Sequence, residues 1–153
     1  AIHGMVHDKA FQLVEQDISE KYASVIVSYT ETNPVLGFPF KYSISLNYIL
    51  FKDALELKVE IKNKDQQAFP FGLGWHPYFK TDDLQNTYLK INSSKKLQVN
   101  DKMIPVGEVN YDWNGFVKIE DKAFDDCFIL NNKKVELKAP EYELEFHFST
   151  NEQ

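Results

Sequence analysis

The chain has 153 residues, 43% hydrophobic and 26% charged, close to the averages of soluble globular proteins and enough for one compact domain with a core. Cations number 17, all of them lysine, against 23 acidic residues, for a net charge of −6. Without clustered cations or any arginine, nucleic acid is excluded as an expected partner, as is bidentate recognition of phosphate; no apolar run approaches the ~20 residues of a membrane span, so no membrane partner is expected.

Period-two alternation dominates the elements in chain order. Phe11, Val14 and Ile18 have helical spacing, but the flanks Gln12, Glu15 and Gln16 do not decide it, and the segment is assigned to strand. Residues 22–29 form a strand in which Val25 and Val27 alternate with Ser24 and Ser28. Tyr42, Ile44, Leu46 and Tyr48 mark one face of the next, with Ser43, Ser45 and Asn47 opposite. Leu55, Leu57, Val59 and Ile61 alternate with charges, as do Val135 and Leu137, and then Tyr142, Leu144, Phe146 and Phe148. One polar and one apolar face per strand is the mark of antiparallel sheets covering a core on one side. Asn33-Pro34, Gly37, Lys52-Asp53, Asn63-Lys64-Asp65, Asn92-Ser93-Ser94 and Asn131-Asn132 read as turns between them. The expected fold is all-β, an antiparallel β-sandwich.

No repeat, linker or low-complexity tract interrupts residues 1–153, which read as a single domain. Both ends read as cut points. The chain opens at a His-Gly pair without a lead-in and closes just after a strong strand, which leaves strand edges unpaired. The lone cysteine, Cys127, excludes an internal disulfide, fits a reducing, cytoplasmic setting, and is expected to pack rather than react.

Chemistry concentrates in Phe69-Pro70-Phe71-Gly72-Leu73-Gly74-Trp75-His76-Pro77-Tyr78-Phe79. Pro77 biases His76 toward an extended conformation, and Gly72 and Gly74 permit close approach of a ligand or another chain. An imidazole in such a frame is either a positioned acid or base or a structural group satisfied among aromatics, and both readings stand. Trp75 either stacks on a ligand or packs, and Trp113 falls in a loop. His147 alternates with Phe146 and Phe148 and is expected to face solvent, and Asp82-Asp83 reads as a turn or a solvated end. His3, His7, His76 and His147 lack close ligand spacing apart from the first pair, so no metal is expected.

Gly74-Trp75-His76-Pro77-Tyr78-Phe79 resembles the His-Pro-Tyr-Phe signature of the aldose 1-epimerase family. Several further motifs follow the family's order: His3-Gly4 with Phe11 downstream, Gly37-Phe38-Pro39-Phe40, Phe69-Pro70, Ile104-Pro105-Val106-Gly107 (similar to an Ile-Pro-x-Gly turn), and Phe124-Asp125-Asp126-Cys127-Phe128. The resemblance covers nearly the whole chain and implies the large antiparallel, galactose mutarotase-like sandwich, of which this chain is the central segment. It implies cofactor-free interconversion of α and β anomers of a hexose. A base takes the C1 hydroxyl proton, an acid protonates the ring oxygen, and the opened chain recloses on either face. In this reading His76 is the acid, His3 assists, Asp125 binds sugar hydroxyls, and Trp75, Tyr78 and His7 line the sugar. His76 is expected to project from a strand or strand end into a groove shared with His3 and Asp125. The sequence departs from the family at several points. The family's late catalytic Glu has no counterpart here, and Glu152 is not assigned to the role. His7 stands where some relatives carry an arginine, and Asp126 where many have a second histidine. A non-catalytic sugar-binding sandwich of the same descent and a small metal-dependent β-barrel enzyme are the alternatives.

Overall fold

The computed structural model describes residues 4–33, 35–120 and 124–149. Its strands are β1 (Gln12–Ile18), β2 (Ala23–Glu31), β3 (Tyr42–Leu50), β4 (Leu55–Asn63), β5 (Tyr88–Lys90), β6 (Ser93–Val99), β7 (Pro105–Trp113), β8 (Val117–Lys118), β9 (Phe128–Leu130), β10 (Lys134–Lys138) and β11 (Glu143–His147). Every strand pairing is antiparallel. One turn of 3-10 helix, Leu84–Asn86, is the only helical element among the described residues, and none of these forms a helix long and apolar enough to cross a membrane. The fold class is the all-β, antiparallel one that alternation predicts, in keeping with a β-sandwich. The chain divides into two compact units, Ala1–Gly74 and Trp75–Gln153.

The first unit is a four-stranded meander in the order β1-β2-β3-β4. Its β2–β3 and β3–β4 ladders run without a register shift, Ala23 opposite Leu50 and Tyr42 opposite Asn63. The segment of ambiguous spacing, 12–18, is a strand because β2 is there to pair with it; a bulge between Leu13 and Glu15 absorbs the mismatch. In β4 the alternation is visible in the burial, with Leu57, Val59 and Ile61 half-buried and the intervening charges exposed. The central strands differ from the expectation of one solvated face. Ser43, Ser45 and Asn47 of β3 are half-buried, as are both faces of most of β2, because a neighbouring strand on each side shields the polar row. Tyr42 and Ile44 are the buried apolar residues here, and Phe38, Phe40 and Phe69 cluster beside Tyr42, Phe40 stacking on Phe69 at 4.9 Å between ring centroids. Gly37 makes the turn ahead of β3: the Phe38 amide donates to the Val35 carbonyl at 3.1 Å, and Gly37 takes φ +98, which an L-residue adopts only under strain.

The second unit has two sheets, β11-β10-β5-β8 and β7-β6-β9. Four of the sequence expectations change here. Ser93 and Ser94 are not turn residues: Asn92 alone makes the turn, at φ +52, and β6 begins at Ser93, which is fully buried between Trp113 and Leu130 as its strand neighbours. Trp113 is not in a loop. It ends β7 at 3% exposure, packs against Phe124 and Phe128 at 4.9 and 5.1 Å, and donates its indole N–H to the Gly115 carbonyl. Ile104-Pro105-Val106-Gly107 is the way into β7 rather than the turn itself. The turn is built before it by Asn100, whose side-chain oxygen accepts from the Lys102 and Ile104 amides, and by Met103 at φ +59. Pro105 is tolerated because it is the first residue of a strand at the sheet's edge. Cys127 is exposed rather than packed. His147 is exposed, as its position on the polar row predicts, with Nε2 3.2 Å from a Glu145 carboxylate oxygen. A charge ladder crosses β5, β10 and β11: Lys90 and Lys134 pair with Glu136, and Lys134 pairs with Glu145. The lysines offset the direct opposition of Glu136 and Glu145 in the register. The Lys90 ammonium holds Glu136 below the usual carboxylate range, and Lys134 does so for Glu145.

Candidate active site

After β4 the chain leaves regular structure and does not regain it until the 3-10 turn. The local reason is in the sequence. Pro70 and Pro77 have no amide to donate to a ladder, and Gly72 and Gly74 bring no side chain to pack on one. His76 is therefore not on a strand or strand end, as expected, but in irregular extended chain, where it is exposed. Its ring lies 5.1 Å from that of Tyr78, tilted by 41°. Tyr78 is 87% exposed, so the aromatic surface beside the imidazole is one that water reaches, and Trp75, the preceding residue, is about half exposed. Phe79, by contrast, turns onto β11 and meets Phe146 edge to face at 5.1 Å.

The chain beyond Phe79 is held at several points. The Tyr142 hydroxyl donates to the Lys80 carbonyl at 2.6 Å. Glu141 accepts from the Asp82 amide at 3.0 Å and from the Thr81 hydroxyl at 3.2 Å. Asp83 then caps the 3-10 turn by accepting from the Asn86 amide and side chain, contacts that lower its carboxyl below the ordinary range. Asp82-Asp83 is thus the turn that the sequence predicts.

The other expected site residues fall as follows. Asp125 is exposed in the irregular run before β9, and its neighbour Asp126 is paired with Lys96 at 2.9 Å. His7 lies in the first unit and lines a cavity of about 160 Å³ with Lys9, Glu31, Phe38 and Tyr42. The His7 Nδ1 sits 3.1 Å from the Gly4 carbonyl. His3 lies outside the described residues. The described geometry brings His76 and Tyr78 together in one unit and puts His7 at a cavity in the other. Among the described residues no group of three or more His, Cys, Asp or Glu is placed to hold a metal ion.

Glu31 belongs to none of the sequence motifs above. It is 7% exposed at the end of β2, accepts from the Tyr29 hydroxyl at 2.7 Å and from the Asn33 amide at 2.8 Å, and faces the His7 cavity. Those two hydrogen bonds hold its carboxyl below the ordinary range, and the same bond to Glu31 pushes the Tyr29 phenol up to about 12. A signal for it was present: period two puts Glu31 on the face of Val25, Val27 and Tyr29, where a carboxylate is out of place unless bonded.

A search of curated proteins and a search of solved structures returned no match. A comparison with family models did: the model described as Aldose 1-epimerase matches residues 1–153. With the match spanning the whole sequence, including the segment that presents His76, the chain belongs to the aldose 1-epimerase family.

Proposed function

We propose that the protein carrying this chain is a mutarotase that interconverts the α and β anomers of a free hexose, with His76 as the acid that protonates the ring oxygen. What supports the reading above all is the setting of His76: an exposed imidazole in the family signature, beside the accessible ring of Tyr78 and next in sequence to the half-exposed Trp75. An imidazole titrates near neutrality, which suits reversible proton transfer at the pH where hexoses are handled. The aromatic faces match the C–H faces of a pyranose. His3 assists at the same end of the sugar, Asp125 binds hydroxyls, and His7 adds a polar contact. The base that removes the C1 proton is assigned to no residue of this chain. The exposed thiol of Cys127 suits a reducing, cytoplasmic setting.

The test follows relaxation of α-glucose and α-galactose by polarimetry, with the 153-residue chain beside the longest native protein that contains it. The longer protein should accelerate relaxation and the chain alone should do so little. In the longer protein His76→Asn should cut kcat by about 10²–10⁴-fold, the usual worth of a positioned acid, with the circular dichroism spectrum unchanged. Rapid mutarotation by the chain alone would place the base within it. A longer protein that binds hexose without speeding relaxation would be a sugar-binding sandwich instead.

A further inference from the structure

We infer that the β10–β11 turn is a positioning device for His76, with Glu141 and Tyr142 as its positioning residues. The inference rests on the reading of His76 as the proton donor. The turn is Ala139-Pro140-Glu141-Tyr142, closed by the Ala139 amide donating to the Tyr142 carbonyl at 2.9 Å and the Tyr142 amide to the Ala139 carbonyl at 3.3 Å. Pro140 stands at the second turn position, where its fixed φ pre-sets the bend. That leaves Glu141 at the exposed tip with its carboxylate unused by the hairpin. Both of its oxygens are instead spent on a segment some sixty residues earlier, on the Asp82 amide and the Thr81 hydroxyl. Tyr142 adds its bond to the Lys80 carbonyl, and Phe146, on the same face of β11 as Leu144, takes the Phe79 ring.

Four consecutive residues, Phe79, Lys80, Thr81 and Asp82, are therefore tied to one hairpin. His76 lies three residues upstream of the first of them, with the rigid Pro77 between. On its other side the segment is irregular and carries two glycines. The ties to the hairpin supply a fixed end. Proton transfer to a ring oxygen needs hydrogen-bond reach, and a misplacement of about 1 Å costs on the order of 100-fold in rate. Glu141 and Tyr142 touch no reacting atom. Their effect is to set where the imidazole stands.

The experiment uses the longest native protein containing this chain, with variants Glu141→Ala, Glu141→Gln, Tyr142→Phe and His76→Asn. Glu141→Ala should lower kcat for hexose mutarotation by about tenfold or more while KM stays within about twofold, because the sugar contacts remain and only the donor is displaced. Glu141→Gln, which still accepts from the Asp82 amide, should recover most of the rate. Tyr142→Phe should show a smaller loss of the same kind. Nuclear Overhauser contacts between the His76 and Tyr78 rings should be present in the wild type and in Glu141→Gln, and weakened in Glu141→Ala. An unchanged kcat in Glu141→Ala, in a protein that His76→Asn inactivates, would overturn the inference and leave the functional reading standing. So would a rate loss that tracks a fall in Tm and is not recovered by Gln. Should His76→Asn itself leave the rate intact, the functional reading fails, and the ring–ring contacts alone then decide: unaltered contacts in Glu141→Ala overturn the positioning role.

Discussion

The two units spend similar lengths of chain in different ways. The first pairs each strand with its sequence neighbour, in ladders of up to nine residues, with short turns at 19–22 and 51–54 and a longer connection at 32–41. The second pairs β5 with β10 and β6 with β9, bringing residues 88–90 to 136–138 and residues 93–96 to 128–130. Apart from β6 and β7 its strands have five residues or fewer, and the β6–β7 ladder is twice shifted in register. The meander derives its order from local contacts, whereas the second unit must close long loops before its contacts form. The segment proposed to carry the chemistry, from Trp75 on, lies in the second unit. The signature around His76 is too rich in Pro and Gly to make a ladder, and residues 79–82, which end and follow it, are the ones tied to the β10–β11 hairpin.

That contrast is open to attack at several points. The largest effect outside the proposed site is expected at Trp113, which joins the β7 end to Phe124 and Phe128. Trp113→Ala should destabilise by about 3–5 kcal/mol, read from denaturant unfolding and from amide exchange in β6, β7 and β9. A loss below about 1 kcal/mol would mean that this aromatic cluster does not hold the non-local sheet together. In the meander the sensitive position is a turn. Gly37→Ala forces a Cβ onto a φ of +98 and should cost roughly 1–3 kcal/mol, although nothing lies within 4 Å of the added atom. A neutral outcome would show that the turn ahead of β3 re-forms in another geometry.

The smallest effect is a titration. The Tyr29 hydroxyl donates to the Glu31 carboxylate, so the pair favours a neutral phenol and a charged carboxyl. Tyr29 is raised to about 12, so its contribution to stability is complete below 10 and disappears as pH climbs through about 12. Glu31 is lowered, so its contribution is present above the ordinary value of 4.5 and is lost as pH falls through the lowered one. Absorbance of phenolate during an alkaline titration should show Tyr29 ionising late. Glu31→Gln should bring that transition back toward 10 while Tyr22, raised by its own bond to Asp17, stays up. If Glu31→Gln moves no tyrosine, the pair at the His7 cavity is not formed in solution.

Period-two alternation by itself determined β3, β4, β10 and β11, because a strand with one apolar row declares its register in its own residues. The signature around His76 led to the expectation of a strand or strand end, whereas its prolines and glycines keep the segment out of every ladder. Other features needed the folded chain. Residues 12–18 are a strand only because β2 pairs with them. Ser93 and Trp113 look like loop residues until β6 finds β9 some thirty residues on. Glu31 becomes a buried, bonded carboxylate through Tyr29 and Asn33. Glu141 carries no signal in the sequence, and only the folded chain brings both its oxygens to Thr81 and Asp82. The division is physical. Local periodicity encodes which face of a strand is apolar, whereas the partner of a buried or hydrogen-bonding group far along the chain is chosen only when the loop between them closes.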